Sequence, residues 1–369
     1  MTNTYFFTGY PGFIARSMIS EVIDKHALGI GHMYILVLPA MKKVAEESLN
    51  QIVRQSPLSR NHFTIVEGDI TKENLGLTLP QSHNLQQEIT HVYHLAAIYD
   101  LAVKKRKAET VNIIGTHHVN QWVENIPGLK RYTYFSTAYV SGEREGTILE
   151  TELRRGQAFK NHYERTKYEA EGFVEETLKK VPTTIIRPGI VRGHSETGET
   201  TKFDGPYFYL NLLERMRQMK MPVIPYFGRE SNAEGNFVPV DYVIKAAVYL
   251  SHADVGEGKT YHLTDPDPYK MHEVFRMLSE EYLGKTPKGS FSGKMSKSPL
   301  MKPLEKFLGI EKEALAYGAS HTKYDCWQAQ HDLEGSGITC PSFKETLPAM
   351  VEYYRKHRED RQKHVGWKS

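Results

Sequence analysis

Short apolar runs alternate along the first two-thirds of the chain with longer stretches in which apolar side chains recur every three or four positions. The runs predict strands at Thr4–Thr8, Met33–Leu38, Phe63–Val66, His91–His94, Arg131–Phe135 and Thr183–Arg187. The periodic stretches predict helices at Gly12–Lys25, Ala40–Gln55, Lys104–Asn125 and His162–Lys180. Strands alternating with helices build a parallel sheet covered on both faces, so the expected class is α/β with a Rossmann-type doubly wound sheet. Beyond Pro188 the pattern changes to a Gly- and Thr-containing loop and then an aromatic and Met-rich helix, PYFYLNLLERMRQMKMP. NFVPVDYVIKAAVYLSH then reads as a return to the sheet, with Asp241 in the first turn of a helix. The expected division is 1–188 with 236–264 for the sheet domain, 189–235 with 265–355 for a smaller discontinuous C-terminal domain, and 356–369 for a charged tail.

The junction of the first strand and first helix reads Thr8-Gly9-Tyr10-Pro11-Gly12-Phe13-Ile14-Ala15. Gly9 suits a tight turn, Gly12 lets the backbone approach a pyrophosphate, and the small Ala15 sits where helix and strand pack closely. The helix N-terminus then offers free N–H groups and the positive end of its dipole to phosphate, so this turn predicts dinucleotide binding. The second strand ends Leu38-Pro39-Ala40-Met41 with no acid to hold the ribose hydroxyls of NAD, and Lys42 and Lys43 follow. These lysines are candidates for the extra phosphate, which favours NADP over NAD. Asp69 and Ile70 follow the third strand and Leu95, Ala96 and Ala97 the fourth, at the carboxyl ends where ligands bind in an open α/β sheet. Asp69 suits the adenine amino group, and equally a helix cap; the small Ala96 and Ala97 leave room for the cofactor.

The fifth strand ends in the hydroxyls of Ser136 and Thr137, and the next long helix opens with Tyr163 and Lys167, one turn apart on one face. A free phenol with a pKa near 10 is a poor acid–base group at neutral pH, and a neighbouring ammonium brings it closer to that range. Tyr163 is therefore the candidate proton donor to a carbonyl oxygen, Lys167 its tuning group and a ligand of the nicotinamide ribose, and Ser136 or Thr137 the hydroxyl that stabilises the oxygen.

Taken in order, Thr8-Gly9-x-x-Gly12-Phe13-Ile14, Gly68-Asp69, His94-Leu95-Ala96-Ala97, Val111-Asn112-x-x-Gly115-Thr116, Ser136-Thr137, Tyr163-x-x-x-Lys167 and Arg187-Pro188 resemble the extended short-chain dehydrogenase/reductase family from residue 4 to about residue 260. The resemblance implies a Ser/Thr-Tyr-Lys catalytic set, a supporting role for Asn112, and cofactor contacts at Pro188, Gly189 and Ile190. Ala15 departs from the family's common third glycine. The segment Gly193-His194-Ser195-Glu196-Thr197-Gly198, followed by Asp204-Gly205-Pro206-Tyr207, is similar to the male-sterility branch of fatty acyl-CoA and thioester reductases. That branch implies a substrate with a long acyl chain, as a thioester, coenzyme A-bound or carrier-bound, or as an aldehyde; with the NADP reading above, the expected reaction is its NADPH-dependent reduction. Tyr207–Leu210 with Met216, Met219 and Met221 are then candidates for an apolar channel, with plain core as the alternative. A sugar-nucleotide epimerase or dehydratase, a hydroxysteroid-type dehydrogenase, and a non-catalytic dinucleotide sensor are the competing readings. The resemblance also implies that two copies can pair through a two-helix face.

Composition narrows this only at the edges. With 369 residues, 25% charged and a net charge of +3, the chain suits a folded protein and not a nucleic-acid binder. Its two cysteines, Cys326 and Cys340, suit reduced packing positions and no cysteine-rich metal site, and no metal is expected. No basic leader precedes an apolar stretch and no long apolar window follows, so the expected location is cytoplasmic. The lysines between Lys285 and Lys302 read as a solvated loop, with phosphate contact as the alternative, and the tail as solvent-facing.

Overall fold

A computed structural model describes residues 2–99, 103–226, 232–289 and 321–364. The sheet half runs β1 (Asn3–Thr8), α1 (Phe13–His26), β2 (Ile30–Val37), α2 (Lys42–Arg54), β3 (Phe63–Glu67), α3 (Leu79–Glu88), β4 (His91–His94) and α4 (Lys105–Ala108). A π-helical stretch, Glu109–Ile114, joins α4 to α5 (Gly115–Val123), and β5 (Arg131–Phe135), β6 (Gly146–Ile148), α6 (His162–Leu178) and β7 (Thr183–Pro188) follow. After these come β8 (Ile190–Arg192), α7 (Tyr207–Gln218), β9 (Phe237–Pro239), α8 (Val240–His252), β10 (Thr260–Leu263), α9 (Met271–Leu283), β11 (Thr322–Tyr324), α10 (Trp327–Asp332) and α11 (Phe343–His357).

Seven strands form one parallel sheet in the order β10-β7-β5-β4-β1-β2-β3. Strand residues alternate between its faces, and each face has its own core. Tyr5 and Phe7 pack with Met18, Val22, Leu49 and Val243 of α1, α2 and α8. Phe6 between them packs with Val119, Trp122, Ala170 and Val174 of α5 and α6. The strand order reverses between β1 and β4, and this switch point opens the crevice in which such sheets bind ligands.

All six predicted strands are present, with ends shifted by at most a few residues. β10 and α3 were not foreseen. The first is a four-residue run that carries a buried histidine, and the second buries only Ser82 and Leu85. A third core joins α7, α9 and α11 through Tyr207, Leu210, Phe275, Leu278, Met350 and Val351. The chain also crosses back: β11 pairs with β6, while Ala329 and Leu333 enter the sheet core.

The tail is exposed at Arg361 and Gln362 and then comes back onto the body: the Phe203 N–H donates to the Lys363 carbonyl at 2.7 Å, and Lys363 Nζ donates to the Thr200 carbonyl at 2.7 Å. The His364 ring meets Phe203 edge-on at 5.4 Å, so the apolar Phe203 gives the charged segment a seat. Lys285 donates to the Met221 carbonyl at 3.1 Å, whereas Lys294, Lys297 and Lys302 lie outside the described residues. No helix among the described residues is long and apolar enough to cross a membrane, and those residues hold no cluster of three or more potential metal ligands.

Candidate active site

A single cleft of about 1020 Å³ runs from the first turn of α1 across the carboxyl ends of the strands to α7 and α9. At one end lies the Gly9–Gly12 turn. Gly9 has φ +89°, and a Cβ there would stand 2.7 Å from the Ala96 nitrogen, so the turn and the loop after β4 are packed backbone to backbone. A Cβ on Gly12 would stand 2.7 Å from the Gly9 carbonyl oxygen, which itself accepts from the Gly12 N–H at 2.9 Å. Thr8 Oγ1 locks this arrangement by accepting from the Ala96 N–H at 3.2 Å and bonding His94 Nδ1 at 2.8 Å. Burial, helped by the nearby Lys167 charge, pushes His94 down to about 3, so it is neutral here.

The first turn of α1 has neither a capping side chain nor an acid, so its free amides can face an anion. Gly12, Phe13, Ile14, Leu36, Leu38, Met41, Asp69 and Ile70 line this end. Asp69 is oriented by accepting from the Thr71 N–H at 2.9 Å and the Thr71 hydroxyl at 2.8 Å. These features fit a dinucleotide: uncapped amides for the pyrophosphate and an apolar slot with one carboxylate for the adenine nucleoside. Tyr10, Pro11, Leu95, Ala96, Ala97, Pro188, Gly189 and Ile190 also line the cleft.

Three predicted cofactor residues stand elsewhere. Lys42 and Lys43 lie beyond the lining, and Lys42 Nζ pairs with Glu67 at 2.6 Å on the surface. Asn112 is buried: its Oδ1 accepts from the Ile98 N–H at 2.8 Å and its Nδ2 donates to Thr166 Oγ1 at 3.0 Å. It ties the loop after β4 to α6 beside Lys167.

At the centre of the cleft, α6 begins with Asn161 accepting from the Glu164 N–H at 2.9 Å, a cap that sets Tyr163 and Lys167 on the cleft side. Tyr163 and Thr137 are joined by a side-chain hydrogen bond, and Tyr99 meets the Tyr163 ring edge-on at 5.2 Å. Burial holds the Tyr163 phenol above its ordinary value and the Thr137 bond opposes this, so Tyr163 carries its proton. Lys167 Nζ donates to the Tyr134 hydroxyl at 2.8 Å and to the Phe135 carbonyl at 2.6 Å. Burial lowers it to about 7, against the opposing charge of Glu171.

The adjacent hydroxyls part company. Consecutive residues of an extended chain point to opposite sides. Thr137 meets Tyr163, whereas Ser136 donates to the buried carboxylate of Glu171. Sequence spacing left the two open: Tyr163, Lys167 and Glu171 at intervals of four place a carboxylate on the same face of α6, but not which hydroxyl it takes.

The far wall divides the aromatic and Met-rich stretch between its two readings, channel and core. Phe208, Tyr209 and Leu212 of α7 line it with Met271 of α9, while Tyr207, Leu210 and Met216 are buried in the helical core and Met219 is exposed. The stripe was real, but its sheltered face turned toward α9 and α11.

Residues 7–247 match the sequence profile of the family described as male sterility protein, well over half of the chain. The chain belongs to this family. It is 25% identical over 296 residues to a glycine betaine reductase of Emericella nidulans, covering 74% of this chain and 22% of that protein. It is 24% identical over 288 residues to the fatty acyl-CoA reductase wat of Drosophila melanogaster, covering 69% of this chain and 54% of that protein. The chain thus spans from about a fifth to about half of these relatives. Its fold matches the terminal R domain of the myxalamid biosynthetic pathway, with a TM-score of 0.78 at 24% identity over 97% of this chain and 91% of that one. It also matches a Bacillus cereus UDP-glucuronic acid 4-epimerase, with a TM-score of 0.64 at 21% identity over 99% of this chain and all of that one. The fold is that of the extended short-chain dehydrogenase/reductases.

Proposed function

We propose that the protein reduces an acyl thioester or a long-chain aldehyde with NADPH. The observation that carries this reading is one continuous cleft holding an uncapped phosphate-binding turn, the Thr137-Tyr163-Lys167 set and an apolar far wall of Phe208, Tyr209, Leu212 and Met271. The fatty acyl-CoA reductase among its relatives supports the substrate class.

The reduced nicotinamide, when bound, supplies hydride to the carbonyl carbon. Thr137 donates a hydrogen bond to the carbonyl oxygen as negative charge develops there. Tyr163, still carrying its proton, is the acid that neutralises this oxygen. Lys167 holds the nicotinamide ribose and offsets the charge left on Tyr163. With an aldehyde, the products are an alcohol and the oxidised cofactor. With a thioester, the carbonyl re-forms as the C–S bond breaks, releasing an aldehyde and a thiol. The far wall seats the acyl chain. Lys42 and Lys43 recognise the 2′-phosphate; the exposed Lys42–Glu67 pair is readily exchanged, because surface ion pairs are weak and screened by salt.

The test is incubation with NADPH or NADH and panels of acyl-coenzyme A esters, long- and short-chain aldehydes, and UDP-sugars, with products identified by mass spectrometry. Aldehyde or alcohol formation is expected. Conversion of a UDP-sugar with no turnover of thioester or aldehyde would overturn the proposal. Replacing Lys42 and Lys43 by Glu should weaken NADPH binding about tenfold more than NADH binding, as expected when a cation facing a phosphate is reversed; equal effects would remove the case for NADPH.

A further inference from the structure

Directly behind the residues assigned to proton transfer lies a buried charged cluster that the chemistry above does not use. Glu171 continues the face of α6 that carries Tyr163 and Lys167, and it is fully buried. One carboxylate oxygen accepts from Ser136; the other accepts from Arg187, from Nε at 2.8 Å and also from Nη2. Arg187 is almost fully buried as well, and its Nη1 donates to the Glu150 carbonyl at 3.2 Å and approaches His262 Nε2 at 3.2 Å. The cluster thus fastens the end of β5 to α6, β7 and β10. A buried ion pair is costly to desolvate, and an apolar set of the same shape often serves stability as well. Packing alone is therefore a poor explanation for these residues.

The geometry supplies two uses. Ser136 is held on the α6 side, which turns the next side chain, Thr137, toward Tyr163. The immediate partners of Lys167 are all neutral: the Tyr134 hydroxyl and ring and the Phe135 carbonyl of β5. His94 of β4, neutral, stands near it, and Tyr163 precedes it on α6. Glu171 is the carboxylate in this set, and its own ion-pair partner is Arg187 of β7.

We propose that Glu171 is a positioning residue, which fixes Thr137 toward Tyr163 through Ser136 and keeps Lys167 an ammonium for the cofactor ribose. The first role rests on the reductase reading; the second needs only the dinucleotide.

Both are tested with Glu171→Gln and Glu171→Asp in the full chain, with folding checked by circular dichroism. Binding of NADPH, followed by its fluorescence across the pH range, should weaken as Lys167 loses its proton. In Glu171→Gln this limb should move about one pH unit to the acid side, the displacement expected from removing one neighbouring charge. A folded Glu171→Gln whose limb coincides with that of the wild type would overturn the ammonium role. In Glu171→Asp the charge stays but the carboxylate retracts from Ser136. Its limb should stay in place while kcat for an aldehyde falls about tenfold at unchanged KM, the mark of an interaction made in the transition state. An Asp variant with wild-type kcat would overturn the positioning role, and it carries the test if the Gln variant does not fold. Wild-type protein that binds NADPH and reduces nothing would sink the reductase reading and, with it, the positioning role, while the binding limb still judges the ammonium role.

Discussion

The two ends of the cleft are built by different means. The dinucleotide end is made of backbone: a turn at positive φ, uncapped amides at the start of α1, and a loop packed against Gly9 without room for a Cβ. The far wall is made of side chains drawn from α7 and α9, which lie on separate stretches of chain. Backbone geometry demands particular residues at particular positions, so it leaves a trace in the sequence. A wall of side chains demands only apolar bulk, and which members face the ligand is decided by the neighbours they pack on. The hydroxyls proposed as catalytic lie between these limits, and variants there separate the two kinds of construction most sharply.

The largest effect is expected at Tyr163. Tyr163→Phe keeps the ring and its edge contact with Tyr99 but removes the proton. Loss of general acid catalysis should lower kcat by about 10²–10⁴-fold, with NADPH affinity, read by fluorescence, little changed. Next comes the hydroxyl pair. Thr137→Ala removes the donor to the developing oxyanion and should cost about 10²–10³-fold in kcat, with Thr137→Ser restoring most of it. Ser136→Ala, which removes only the hydroxyl bound to Glu171, should cost about tenfold, as retraction of the carboxylate does, because Thr137 loses its anchor but remains a donor. Equal losses in the two alanine variants would erase the distinction drawn between them.

This pair also marks how far the sequence could be read. Six strands of the sheet, the turn at Gly9 and the Tyr163–Lys167 spacing were all legible, because periodicity and local backbone needs write them into neighbouring residues. Ser136 and Thr137 differ through a carboxylate 35 positions away, and no local pattern reports which hydroxyl that carboxylate takes. The same holds for Lys42, whose nearest acid, Glu67, is brought beside it only by the pairing of β2 with β3. In the far wall, Tyr207 and Phe208 are adjacent aromatics with opposite fates, set by the position of α9 and α11.

A third prediction uses acid to separate the regions. In the sheet half, burial pushes His91 down to about 3 and His252 to about 4, with His94 and His262 also at about 3. Each folded value lies below the unfolded value near 6.5, so the unfolded chain takes the proton first. The stability these neutral rings contribute is complete above that pH and lost as pH falls toward 4, at about 1.4 kcal/mol per pH unit for each ring. Glu150, raised to about 7 by burial, works the other way between pH 7 and about 4.5, and offsets one ring of the four. In the helical lobe, burial alone would raise Glu214, but hydrogen bonds from Arg217, Tyr282 and Gln218 hold it at about 2. Its contribution is lost only below the unfolded carboxylate range, near pH 4.5. Hydrogen exchange at pH 7 and pH 5 should show β4 and α8 losing protection while α7 keeps it; uniform loss would remove the contrast.

The smallest effect is expected at the far wall, and it is the one that decides what the wall is for. Phe208 is half-buried on the cleft side of α7, so truncating it removes contact with a ligand while leaving the Tyr207 and Leu210 packing behind it intact. If the wall seats an acyl chain, Phe208→Ala should lower kcat/KM for a long-chain aldehyde about fivefold, equivalent to about 1 kcal/mol, roughly one methylene's worth of burial. A short-chain aldehyde never reaches this surface and should be reduced by the variant as by the wild type. Leu210→Ala, two residues further along α7 and directed into the core, should do the opposite: lower the melting temperature through a cavity and leave chain-length preference alone. A Phe208 variant that slows long and short aldehydes alike would mean that α7 supports the reacting centre and not the chain.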